Sequence, residues 1–202
     1  GVPSSRSSDC SVRESLMSIL ETVHHVLDEE AKAILSIAVD NNFVTAVALL
    51  TTCEGRIITT GMGKAGYIAR KLASTLCSIG IPAVYLHPGD AAHGDLGQIT
   101  SKDFLVAFST SGKTSEVLDL IAGGRRLGLQ GVIGITSHSD SKLRELSDVV
   151  IDMGKIREPD PLGLVPTASS AVMLAIGDAL AVALMEIKGV TTEDFGRRHN
   201  GG

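Results

Sequence analysis

The sequence predicts an α/β protein. It is read as a three-layer sandwich in which helices cover both faces of a five-stranded parallel sheet, with helices preceding it at the N-terminus. Three observations carry that reading. Five short apolar runs, at 56–60, 83–86, 104–108, 132–135 and 149–153, are bounded by glycine, proline and hydroxyl residues and have the length of buried strands. Helical patterns separate them, and strands alternating with helices imply parallel pairing through right-handed crossovers. Two of the runs end in a turn rich in glycine or hydroxyls that leads directly into a helix.

Taken in order, residues 1–9 are small and polar and are expected to be a disordered or appended tail, with 10–202 a single domain. Val12, Leu16, Ile19, Leu20, Val23 and Leu27 mark an amphipathic helix. Residues 31–37 continue it, Asp40-Asn41-Asn42 interrupts it, and 43–50 resumes in helical style. His24 and His25 are neighbours and do not share a helix face, so they do not read as a metal pair. After the turn Cys53-Glu54-Gly55 comes the first strand. Gly61-Met62-Gly63-Lys64-Ala65-Gly66 then opens a helix that Gly80 stops. The strand at 83–86 is followed by a long polar, glycine-rich connection, 87–99. The third strand leads into a helix marked by Val117, Leu118, Leu120 and Ile121, and the fourth into a short helix at 141–146. Beyond the fifth strand, the loop 154–166 carries Pro159, Pro161 and Pro166. The run 168–187 has the length of a membrane span, but Asp178 stands at its middle. A carboxylate at a bilayer centre is costly, so this run is read as a helix buried in a core or subunit interface. A polar tail, 191–202, closes the chain.

For five strands connected this way the common order is flavodoxin-like, 2-1-3-4-5. Strands one and three are then neighbours, and the helices after them leave on opposite faces. The crevice at that switch point brings the 61–64 turn beside the 109–114 turn.

The second of those turns points to an anion. Ser109, Thr110, Ser111, Thr114 and Ser115 place five hydroxyls within seven positions at a helix start, where free N–H groups and the helix dipole favour phosphate. An ordinary capped helix is the plainer reading, but one hydroxyl suffices for a cap. Gly61, Gly63 and Gly66 also fit a dinucleotide fingerprint, yet the second strand ends Leu86-His87-Pro88 without the acidic residue that would hold a ribose. Residues 107–114 approach a P-loop, but Ala107 stands where the first glycine belongs, and Ala107 and Phe108 read as strand. A net charge of -5 and an aromatic content of 3% argue against nucleic acid as a partner. Cys10, Cys53 and Cys77 show neither metal nor disulfide spacing, and no secretory leader pattern is seen; both point to the cytoplasm. No metal or cofactor is called for.

Several of these segments together resemble a known family. They are Gly61-Met62-Gly63-Lys64-Ala65-Gly66, His87-Pro88-Gly89-Asp90-Ala91-Ala92-His93-Gly94-Asp95-Leu96-Gly97, Ser109-x-Ser111-Gly112, Pro161-Leu162-Gly163-Leu164-Val165-Pro166-Thr167 and Gly177-Asp178-Ala179-Leu180. They are similar to the sugar isomerase (SIS) domain of D-arabinose 5-phosphate isomerases, over about residues 13–202. The resemblance implies interconversion of D-ribulose 5-phosphate and D-arabinose 5-phosphate, feeding Kdo synthesis for lipopolysaccharide or capsule. It also implies a homotetramer and a short form without CBS domains. Many relatives carry Glu where Lys113 stands here.

Such an isomerisation passes through an enediolate and needs a carbon-proton base, an oxyanion stabiliser and a group that opens the sugar ring. The resemblance assigns these roles to Glu158, His199, His93, Lys64 and Glu116. Glu158 is the expected base, Lys64 steadies the enediolate or phosphate, and Glu116 orients Lys64. His199 serves ring opening or proton exchange with the sugar oxygens, from a tail that would have to fold over a site, in its own subunit or a neighbour, and His93 shares that work. Ser109, Thr110, Ser111, Thr114 and Gly63 are the expected phosphate ligands. Nucleotide-activated Kdo is a candidate feedback ligand of the same crevice. The rival readings are a SIS isomerase for another sugar phosphate and a non-catalytic sugar-phosphate-binding regulator.

Overall fold

The computed structural model describes residues 6–201. Helix α1 spans Arg6–Leu35 and α2 Asn41–Thr51. Then follow β1 (Ile57–Gly61), α3 (Gly63–Ser78), β2 (Ala83–Tyr85), α4 (Pro88–Ala91) and a 3-10 turn (Asp95–Gln98). The second half comprises β3 (Phe104–Phe108), α5 (Ser115–Arg126), β4 (Gly131–Thr136), α6 (Lys142–Leu146), β5 (Val149–Asp152), α7 (Ala168–Lys188) and α8 (Thr192–Gly196).

The five strands pair in parallel in the order β2-β1-β3-β4-β5, as expected. The reason is visible in β3, a continuous apolar run. Phe104, Val106 and Phe108 point into one core with α2, α3 and α7, while Leu105 and Ala107 point into a second core with α5 and α6. Successive strand residues face opposite sides, so a strand covered on both must be apolar throughout. The edge strands are less buried, and β2 is only three residues long, which limits the unpaired edge it presents.

The interruption at Asp40-Asn41-Asn42 is a helix start: Asp40 Oδ1 accepts from the Asn42 N–H at 2.9 Å and caps α2. Of the expected tail 1–9, residues 6–9 instead belong to α1, and residues 1–5 lie outside the described residues. The polar connection 87–99 is partly helical. His87 accepts from the Gly89 and Asp90 N–H groups and starts α4, with Pro88 at the position where a missing N–H costs nothing. The 3-10 turn packs closely on α5, where a side chain on Gly123 would lie 2.5 Å from Leu96 Cδ2. That close approach explains a helix-weakening residue inside α5.

Helix α7 is long and apolar enough to cross a membrane by length and composition, and half of its apolar stretch is buried inside the protein. Asp178 finds its donor in Lys71 of α3. The polar tail 191–202 contains a helix that the sequence reading left out, α8, begun by a reciprocal Thr191–Asp194 capping box.

Candidate active site

The β1–β3 register pairs Gly61 with Phe108, so the two strands end level and their following turns stand side by side. Between them and the start of α7 lies an open cleft of about 390 Å³. Met62, Lys64 and Ala65 line it from the β1–α3 turn, and Ser109, Thr110, Ser111 and Thr114 from the β3–α5 turn. Glu158, Leu164, Pro166, Ser169 and Ser170 close it from the β5–α7 side.

The hydroxyls of the β3–α5 turn shape the turn. Thr114 occupies the cap position of α5, but its side chain caps nothing; it bonds Ser109 Oγ at 2.9 Å. Ser109 Oγ also accepts from the Gly112 N–H at 3.0 Å, and Ser111 Oγ from the Lys113 N–H at 3.2 Å. The first-turn N–H groups of α5 are thereby left without a side-chain cap, and α3 likewise starts at Met62 with none. Two open helix N-termini beside Lys64 give the cleft a positive end in an acidic protein.

The turn is held from behind by β4 and the segment after it. The Ser137 N–H donates to Thr110 O at 3.0 Å and the Leu143 N–H to Gly112 O at 3.0 Å. Gly112 has φ of +65°, and a side chain there would lie 2.5 Å from Ser141 Cβ and 2.8 Å from Thr136 Oγ1. Only glycine satisfies both the left-handed backbone and the close approach. On the other wall the Tyr85 hydroxyl donates to Gly61 O at 2.7 Å, and burial pushes that phenol up from its ordinary value.

Glu158 is held most firmly. Its Oε2 accepts from the Thr167 N–H at 2.6 Å and its Oε1 from the Ser169 N–H at 2.8 Å. The carboxylate therefore caps α7, a third helix N-terminus on the cleft. Each oxygen keeps a second lone pair. Asp160, two residues on, organises the rest of the loop. It accepts from the Leu162, Leu164 and Val165 N–H groups at 2.8–3.0 Å. Desolvation opposes the shift, but these bonds together hold its carboxyl below the usual carboxylate range.

Of the residues expected from the sequence, Lys64, Ser109, Thr110, Ser111, Thr114 and Glu158 come together in the cleft. Gly63 is exposed at the head of α3, between two lining residues. Glu116 does not border the cleft. It lines a neighbouring cavity of about 250 Å³ with Ala92, Asp119 and Arg126, and its bond is to Ser115 Oγ at 3.1 Å. His93 is exposed between α4 and the 3-10 turn. His199 lies by the C-terminal end of α3, whose N-terminal end lines the cleft. Its ring stacks on Phe195 at 3.8 Å, and the adjacent Arg198 packs over Gly80, beyond the C-terminal end of α3. Along α3 that end is about 21 Å from Lys64. The sequence reading missed Tyr85, Thr136, Ser141, Ser169 and Ser170. It also missed the bond from Glu158 to α7, which joins residues nine and eleven apart.

Comparison with known proteins gives a consistent picture. The SIS domain family model matches residues 49–183. The arabinose 5-phosphate isomerase KdsD of Pseudomonas aeruginosa is 42% identical over 176 residues, which cover 87% of this chain and 54% of the relative. The KdsD of Escherichia coli K12 is also 42% identical, with 53% of its length covered. The chain thus spans about half the length of the curated relatives it matches. Among solved structures, E. coli CFT073 c3406, in complex with arabinose 5-phosphate, superposes with a TM-score of 0.86 at 35% identity, covering 91% of this chain and 98% of that one. A candidate phosphosugar isomerase of capsule formation from Bacteroides fragilis gives a TM-score of 0.88 at 42% identity, with the same coverage.

Proposed function

The chain belongs to the SIS domain family, and on that premise we propose that it interconverts D-ribulose 5-phosphate and D-arabinose 5-phosphate. The observation that carries the proposal is the meeting, in one cleft, of a cationic side chain, two open helix N-termini and a firmly held carboxylate. Its relatives named as arabinose 5-phosphate isomerases and the neighbour solved with arabinose 5-phosphate support the choice of sugar.

The phosphate sits on the 109–114 turn at the head of α5, where backbone N–H groups and the hydroxyls of Ser109, Ser111 and Thr114 meet its oxygens. Glu158 takes a proton from C1 of the ketose, and the C1–H electron pair becomes the enediolate double bond. Lys64 steadies the developing oxyanion at O2; the protonated Glu158 then returns a proton to C2 as the O1 hydroxyl proton passes to O2, leaving the C1 aldehyde. The α7 N–H groups fix the carboxylate against the sugar, which is the positioning such a transfer requires.

Ring opening falls to His93 and His199 of neighbouring subunits. A tail docked at the C-terminal end of α3, whose N-terminal end lines the cleft, does not serve its own cleft, so His199 acts in trans. A homotetramer accommodates this. Two separate apolar faces are available for it: the exposed stripe of Leu16, Ile19, Leu20, Val23 and Leu27 on α1, and the α2–α7 groove lined by Phe43, Val44 and Ile187. Glu116 lines the adjoining cavity and is the weakest member of the set. The product feeds Kdo synthesis in the cytoplasm, and nucleotide-activated Kdo competes for the anion-binding end of the cleft.

Incubation with ribulose 5-phosphate tests the proposal. Formation of arabinose 5-phosphate is expected. Formation of a different pentose phosphate, or of none while other sugar phosphates turn over, refutes it.

A further inference from the structure

Glu158 borders two cavities. One is the cleft; the other, the rear cavity, of about 250 Å³, lies between α1 and the loop after β5. His25 and Glu29 line this rear cavity from α1, and Arg157, Pro159 and Asp160 line it from the loop. His25 and Glu29 are four residues apart and so share one helix face. The volume has room for several waters among polar partners.

We infer that the rear cavity is the route by which Glu158 exchanges its proton with solvent while the cleft is occupied, and that His25 is the relay in it. The inference rests on Glu158 being the carbon-proton base proposed above. Substrate in the cleft displaces water from the front of Glu158. The second cavity, whose His25 is exposed, still joins Glu158 to solvent.

Elimination picks out His25 within this cavity. Asp160 is committed to the N–H groups of its own loop, and Glu29 pairs with Lys32 at 3.3 Å. A guanidinium such as that of Arg157 does not release its proton. Imidazole accepts a proton on one nitrogen and releases one from the other, so it passes protons without net charge transfer. In the exchange, the carboxylic acid formed when Glu158 takes the C1 proton gives that proton to the imidazole–water chain. It takes a solvent proton back before protonating C2. No oxidant or further reactant is involved.

The test is isomerisation of ribulose 5-phosphate in D2O, with deuterium at C2 of the product pentose read by NMR. Label per product formed is a ratio, so slower turnover does not mimic its loss. The native chain is expected to place solvent deuterium at C2. His25→Ala and His25→Gln are each expected to lower the labelled fraction at least about threefold, with direct return of the substrate proton taking its place. Added imidazole is expected to restore labelling in His25→Ala. His24→Ala, one residue away and outside the cavity, is expected to leave the ratio unchanged. A native chain that introduces no label overturns the inference, as does an unchanged ratio in both His25 variants; isomerase activity itself stands in either case. Absence of isomerisation by the native chain overturns the proposed function and the relay with it.

Discussion

Replacing Glu158 by glutamine separates the cap seen in the structure from the base proposed for the same side chain. As a cap, the carboxylate accepts one backbone N–H on each oxygen, at 2.6 and 2.8 Å. Glutamine keeps one acceptor and turns an NH₂ toward the other N–H. Losing one hydrogen bond to a charged group costs about 1.5–3 kcal/mol. Losing the favourable charge at the helix N-terminus adds roughly 0.3–1 kcal/mol. The sum, about 2–4 kcal/mol, corresponds to a fall in Tm of roughly 5–15 °C for a chain of this size. As a base, the carboxylate is worth about 10²–10⁴ in rate, and the amide cannot replace it. Differential scanning calorimetry reads the first effect, and kcat for ribulose 5-phosphate isomerisation, measured well below the lowered Tm, reads the second. A variant that loses stability but keeps its turnover leaves the cap intact as an explanation and refutes the base. A variant with unchanged Tm refutes the capping energetics drawn from the two bonds.

Gly112→Ala forces a side chain against Ser141 and Thr136 at a left-handed backbone position. It is expected to cost about 1–3 kcal/mol in chemical denaturation and to raise KM for the sugar phosphate more than it lowers kcat. Asp160 has its carboxyl depressed by loop N–H groups, so the stability it contributes is present above the ordinary value of about 4 and is lost as pH falls through the folded value. Amide exchange at Leu162, Leu164 and Val165 is therefore expected to accelerate in acid, after allowance for intrinsic rates, and Asp160→Asn is expected to show fast exchange at every pH. Mixing inactive Glu158→Gln chains with inactive His199→Ala chains is expected to restore activity at about a quarter of the sites, because in the proposed assembly a cleft uses one residue from each of two subunits. No recovery after verified subunit exchange counts against supply of His199 in trans.

The sheet was readable because its determinants are local. The 104–108 run is apolar at every position, and that continuity signals a strand covered on both faces. Strand order then followed from connectivity, and with it the meeting of the 61–64 and 109–114 turns. What escaped is mostly non-local. Nothing near Tyr85 in sequence announces that its hydroxyl braces Gly61, 24 positions earlier. The partners of Glu158 lie across the proline-bearing loop, and its role as a cap depends on where α7 starts. The polar tail is different, since Thr191 and Asp194 three apart are a recognisable capping pair. His199 enters the expected site by resemblance; its position near the C-terminal end of α3 follows from Arg198 seating on Gly80, which no local pattern encodes.

Main-chain amides, rather than a ring of side chains, supply much of the attraction at the cleft. A substitution deletes a side chain but leaves its peptide N–H in place, proline excepted. The charged end of a ligand is thus gripped by atoms that most mutations cannot remove. What lies beyond that end faces Leu164, Pro166 and Ser170, whose side chains are free to vary. If the proposed binding mode holds, such a scaffold keeps its hold on a phosphate while its choice of sugar drifts.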